Sequence, residues 1–233
     1  MSAGVLGIEV RREADWEEHA APRVQTIRPN RTWTPESFAR EQIRGLVSQV
    51  FSLSTNPQIR QVVISAIEPE AEIRSICKRV AAILAQETGS EVGIVAAWAN
   101  ESVDSQERAM GAERRGSSCL RESAVRIQEN VWLTRAQVAL QQASVAAVHT
   151  YLGEIRSEFQ YSILEGPCAG ISNDAALLGR FADGIILVIS AERTRRVTAR
   201  KIKESIEAAK VRLLGVMLSD REFPIPEQIY RRL

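Results

Sequence analysis

Two stretches of this chain put ionisable side chains where a buried strand gives way to a helix. In the first, Val62-Val63-Ile64-Ser65-Ala66-Ile67-Glu68-Pro69-Glu70-Ala71-Glu72-Ile73-Arg74-Ser75, an apolar run turns at Pro69 and continues as a helical pattern to about Gln86. In the second, Phe159-Gln160-Tyr161-Ser162-Ile163-Leu164-Glu165-Gly166-Pro167 ends in a carboxylate, and Asn173-Asp174 opens the next helical pattern. A strand that turns directly into a helix is where an α/β protein seats a phosphate, because the first helical amides are unpaired and point outward. That chemistry needs glycines so that the backbone can curl round the anion, a lysine to meet the phosphates, and a hydroxyl for magnesium. The matching positions here hold Glu70, Glu72, Ile73 and Arg74, followed by Ser75. Glu70 and Glu72 bring negative charge to the helix N-terminus and satisfy its dipole themselves. A nucleotide arriving there meets repulsion of roughly 4 kcal/mol per pair of unit charges at close range, for an effective dielectric of about 20. The turn is expected to be an ordinary acidic helix start.

The rest of the chain offers no substitute. Its lysines are Lys78, Lys201, Lys203 and Lys210, and none lies in a glycine-rich turn. Cys77, Cys119 and Cys168 are scattered without a paired spacing, which argues against a zinc site or a disulfide frame and suits a reducing compartment. His19 and His149 do not suggest a shared site, and His149 is expected to be a packed or surface residue. A net charge of +1 provides no electrostatic reason to expect nucleic acid or an anionic membrane as partner. No signal segment or membrane-length apolar run is present, so a cytoplasmic protein without direct membrane insertion is expected.

The elements that must position these residues follow from periodicity. With 45% hydrophobic and 25% charged residues, the 233-residue chain fits one sizeable domain over 34–233, preceded by a mobile arm over 1–33. Thr34-Pro35-Glu36 starts a helix to about Phe51, with Phe38, Ile43, Leu46, Val47 and Val50 as its apolar stripe. Strands are expected at about 60–66, 91–97 and 131–133. Residues 99–123 are polar and form an irregular excursion. A helix over about 139–159 presents Val145, Val148, Leu152 and Ile155. The run 182–189 is apolar on both faces, as parallel strands are; a helix to about Ala209 and a last strand over 211–218 follow. This alternation implies an α/β fold, a doubly wound and mostly parallel sheet with helices on both faces.

From about Glu36 to Leu233 the chain resembles the bacterial tyrosine kinases of the exopolysaccharide type, whose domain is P-loop NTPase-like. Their phosphate loop reads Thr-Ser-x-x-Pro-Gly-Glu-Gly-Lys-[Ser/Thr]-Thr, of which Ser65 and Pro69 remain. Their second motif, Leu-Ile-Asp-x-Asp, falls on Ala96 and Trp98, which neither bind a cation nor move a proton. The third, Phe-Asp-x-Val-Ile-Ile-Asp-x-Pro-Pro, places Glu165 at the magnesium-linked aspartate, with no lysine or serine as partner. Asp174 matches the acid of a Ser-Asp pair and is expected to cap its helix. Glu41-Gln42-Ile43-Arg44 resembles the start of Glu-x-x-Arg-x-x-Arg, a motif that packs those kinases into rings, although Val47 replaces the last arginine. An ordinary helical ion pair between Glu41 and Arg44 is the plainer alternative. The kinases' terminal tyrosine cluster is reduced to Tyr230.

The resemblance thus implies a catalytically inactive relative that regulates or scaffolds exopolysaccharide or capsule synthesis, with no cofactor. The partners it implies are a membrane chain-length regulator, an active kinase of the same system, or a second copy through Glu41 and Arg44. The rival reading is a working ATPase or kinase using ATP and magnesium at an unorthodox site of Arg74, Ser75, Glu165 and Asp174. A relative of cell-division or partition ATPases is a weaker reading. Those proteins also need the missing lysine, and Pro224 and Pro226 interrupt the tail where the membrane-targeting ones carry an amphipathic helix.

Overall fold

The structure is a computed structural model that describes residues 34–51, 58–69, 71–96, 124–135 and 144–219. The expected arm over 1–33, the excursion over 99–123 and the tail with Tyr230 lie outside the described residues, as do Glu70 and Trp98.

Seven strands form one sheet. In chain order they are β1 (Gln61–Ala66), β2 (Val92–Ala96), β3 (Val125–Gln128), β4 (Val131–Arg135), β5 (Tyr161–Glu165), β6 (Gly184–Ser190) and β7 (Leu213–Ser219), in the spatial order β3-β4-β2-β5-β1-β6-β7. Every pairing is parallel except the β3–β4 hairpin at one edge. The doubly wound, mostly parallel sheet expected from the alternation is therefore present. The hairpin strand β3 has no counterpart among the expected strands: Arg126, Ile127 and Gln128 are all exposed, so the segment lacks the buried alternation that marks a strand.

Both faces of the sheet are covered, which is why β1 is buried along its whole length. Helices α1 (Pro35–Val50) and α2 (Ile73–Thr88) cover one face, where Leu46, Val50, Val80 and Leu84 pack against Val62, Ile64, Ile94 and Ile163. Helices α3 (Val145–Glu158), α4 (Asp174–Phe181) and α5 (Arg196–Ala208) cover the other, where Leu152, Ile155, Leu178 and Ile206 meet Val63, Val95, Leu164 and Ile185. Successive residues of β1 thus serve opposite cores, as the two-residue period of a strand requires.

Local signals set the helix ends. Thr34 and Ser37 form a reciprocal capping box, each amide donating to the other's hydroxyl at 3.1 Å, with Pro35 at the first helical position as expected. Helix α2 ends at Gly89, whose φ of 65° is the left-handed conformation that glycine adopts without penalty. One expectation changes: Val145 opens α3 in solvent rather than facing the core. His149 is a surface residue as expected, its ring edge-on to Phe181 with centroids 5.6 Å apart.

Candidate functional site

The site lies at the carboxyl ends of β1 and β5, the edge where open α/β sheets bind ligands. These two strands are neighbours, with Ile64 in register with Glu165, so the turn after β1 and the loop after β5 start side by side.

The turn from β1 to α2 closes on itself. The amide of Ile67 donates to Val188 O at 3.0 Å, that of Ala71 to Glu68 O at 3.4 Å, and that of Ile73 to Ala71 O at 2.8 Å. Two amides of the turn, those of Ala71 and Ile73, are thus engaged within the chain. Glu72 occupies the N-cap of α2 and is exposed, but its carboxylate makes no cap hydrogen bond, and the first turn of α2 carries no acid. The expectation that Glu72 satisfies the helix end is corrected to this extent. Its charge is near the end, but its side chain does not bond to it.

Helix α2 places Ile73, Arg74 and Ser75 in its first turn, all half-buried. Strand β5 ends in Glu165, a carboxylate only 5% exposed. Arg74 and Glu165 meet: Nη2 lies 3.4 Å and Nε 3.5 Å from the same oxygen, Oε2. The sequence offers Glu165 no lysine or serine partner, and the fold supplies an arginine. Cys77, one turn further along α2, is fully buried beside the pair. Burial pushes its thiol well above the ordinary cysteine value, the Glu165 charge adds to that, and Arg74 offsets part of it.

The loop after β5 is fastened along β1. Ser65 Oγ donates to Pro167 O, Gly166 N to Ile64 O at 2.8 Å, Ala169 N to Ala66 O at 2.8 Å, and Cys168 Sγ to Ile67 O at 3.0 Å. So close an approach requires glycine at 166, where a Cβ would lie 2.7 Å from Val63 Cγ1. Asp174 does not cap α4. Asn173 is the N-cap, and Asp174 is the first helical residue, accepting the Ser172 hydroxyl at 2.6 Å while its amide donates to the same hydroxyl at 3.0 Å. Of the four residues of the unorthodox site, the structure pairs Arg74 with Glu165, leaves Ser75 beside them on α2, and engages Asp174 in its own loop. Ala96 ends β2, half-buried. Among the described residues, no three His, Cys, Asp or Glu side chains gather as a metal site.

The α1 residues of the ring-like motif take no part in this edge. Glu41 and Arg44 are exposed and line a groove of about 500 Å³ between α1 and α2. Arg44 Nε contacts Glu87 of α2 at 2.9 Å, an inter-helix pair that the i,i+3 spacing does not suggest.

No family model matches the chain. It is 37% identical over 65 residues to the tyrosine-protein kinase CpsD of Streptococcus agalactiae serotype III, a match covering 28% of each protein. To the tyrosine-protein kinase YwqD of Bacillus subtilis it is 41% identical over 49 residues, 21% of each. The matched segments thus span less than a third of these curated relatives. Among solved structures, the VpsO kinase domain superposes with a TM-score of 0.62 at 17% identity, covering 80% of this chain and 98% of that one. The kinase domain of the Escherichia coli tyrosine kinase ETK does so at 0.62 and 15%, covering 81% and 79%, and MinD of Aquifex aeolicus at 0.53 and 16%, covering 74% and 72%. These two sequence relatives are bacterial tyrosine kinases, a 68-residue match at 34% identity falls on an uncharacterised ATP-binding protein of Methanocaldococcus jannaschii, and the fold is the P-loop NTPase-like one shared with MinD.

Proposed function

We propose that this chain, whose relatives and fold neighbours include bacterial tyrosine kinases, is a catalytically inactive form of their domain that regulates or scaffolds exopolysaccharide or capsule synthesis. One observation carries the reading. The strand-to-helix turn has neither glycine nor lysine, and its amides at Ala71 and Ile73 donate to neighbouring carbonyls, while the sheet around it is intact. Loss of function without selection would be expected to erode the core as well, whereas Val62, Val63 and Ile64 are fully buried and well packed. What is maintained is a surface on a rigid body, which suits a binding partner.

In this reading the chain works in the cytoplasm, without nucleotide or magnesium, against a membrane chain-length regulator, an active kinase of the same system or a second copy. Among the described residues no helix is long and apolar enough to cross a membrane. The deciding experiment is calorimetry with magnesium-ATP and magnesium-ADP, backed by thermal shift. Neither heat nor stabilisation at millimolar nucleotide is expected; micromolar binding would overturn the proposal.

A further inference from the structure

We infer that Arg74 supplies, from within the chain and to one oxygen of Glu165, the positive charge that a phosphate loop takes from a bound metal ion. The inference rests on the reading of the domain as inactive and states what replaced the lost chemistry.

Three observations carry it. The first is position. Arg74 stands where the resemblance puts the magnesium-binding hydroxyl, and Glu165 where it puts the magnesium-linked carboxylate. The second is geometry. Two guanidinium nitrogens, Nη2 and Nε, approach one oxygen of a carboxylate that is 5% exposed. An ionised carboxylate that deep requires a counter-charge. The third is that helix α2 by itself disfavours this residue. A cation in the first helical turn faces the positive end of the dipole, and the arginine is offset by no acid in that turn. A partner that makes the position favourable is Glu165, 91 residues away in sequence. Burial and the flanking charges at Cys77 are consistent with the same picture, since that thiol senses Glu165 and Arg74 with opposite signs.

Around Glu165 Oε2 the residues do not fit a magnesium–nucleotide. Magnesium takes oxygen ligands in a tight octahedron, and arginine presents only donors. A metal at Glu165 Oε2 would have to displace the guanidinium already there.

The test is a double-mutant cycle of Arg74→Met and Glu165→Gln, read by thermal unfolding at about pH 8, with Arg74→Lys as the charge-conserving control. Arg74→Met should lower the melting temperature by roughly 5–10 °C, because it strands a buried carboxylate. Adding Glu165→Gln should restore most of the loss, and Arg74→Lys should retain most of the wild-type value. If Arg74→Met fails to fold, a folded double variant is the same result. The inference is overturned if the two single effects add in the double variant, or if both variants fail to fold. Wild-type binding of magnesium-ATP would instead overturn the inactive reading, and the cycle reports on the Arg74–Glu165 coupling separately.

Discussion

Arg156 Nη2 lies 2.7 Å from Asp183 Oδ1 and ties the last turn of α3 to the entry of β6. The other carboxylate oxygen of Asp183 accepts the amides of Arg60 at 2.7 Å and Gln61 at 2.8 Å, at the start of β1. One side chain therefore joins three elements at the end of the sheet opposite the candidate site. It holds β1, on which the turn to α2 depends.

This carboxylate should make stability depend on pH. Partial burial works to raise its pKa, but the Arg156 hydrogen bond, the two amides and the Arg156 charge outweigh it, so the group titrates below the ordinary aspartate value. A depressed pKa stabilises the fold at pH values above the unfolded value of about 3.9, and that contribution is lost as pH falls through the lower folded value. Asp183→Asn should therefore cost about 1–3 kcal/mol near neutral pH, with the gap to wild type closing in acid. Urea unfolding at both pH values checks this, and a gap independent of pH would refute the assignment.

Thiol labelling should separate the cysteines. Cys77 is fully buried with its thiol pushed upward, first by burial and then by Glu165, and the thiolate is the reactive form. Cys168 is half-buried. Mass spectrometry after labelling of the native protein should find Cys168 modified well before Cys77, with Cys77 reacting only as the protein unfolds. Rapid native labelling of Cys77 would contradict the packing described.

Rebuilding the loop tests the proposal that the turn does not bind nucleotide. The combined variant Glu70→Gly, Glu72→Gly, Ile73→Lys and Arg74→Ser restores the glycines, lysine and hydroxyl that phosphate binding needs. It should bind magnesium-ADP measurably by calorimetry yet transfer no phosphate, because Ala96 and Trp98 still replace the acids of the second motif. If the variant is folded and binds nothing at millimolar nucleotide, the turn is not the sole obstacle, and its missing glycines and lysine do not account for the lost site.

The α1 face yields a prediction about assembly. Arg44 and Glu87 are 54% and 42% exposed, so their contact is a surface ion pair and Arg44→Ala should change stability by less than about 1 kcal/mol. If copies associate through this helix, Glu41→Arg combined with Arg44→Ala should lower the mass measured by light scattering without altering the melting temperature. An unchanged mass would remove α1 from the assembly surface.

Several elements are legible in the sequence because their causes are local. Thr34-Pro35 marks a helix start by capping chemistry that involves residues three apart. The unbroken apolar runs at β1 and β6 imply strands covered on both sides, and both are buried there. Edge strand β3 escapes such a reading because its exposed residues lack that pattern. The cap of α4 falls one position from the expected Asp174 because Asn173 and Asp174 are both competent at a helix start.

By itself the sequence determined the fold class and that residues 65–75 hold neither the glycines nor the lysine of a phosphate loop. Both depend only on residue types and on their order along the chain. What the tertiary structure alone decided is which side chains meet beside that turn. The parallel pairing of β1 with β5 brings Glu165 beside the first turn of α2, and there Arg74 meets it across 91 positions. No local rule favours arginine at that point of a helix. The buried charge that makes it favourable becomes a neighbour only when the sheet forms.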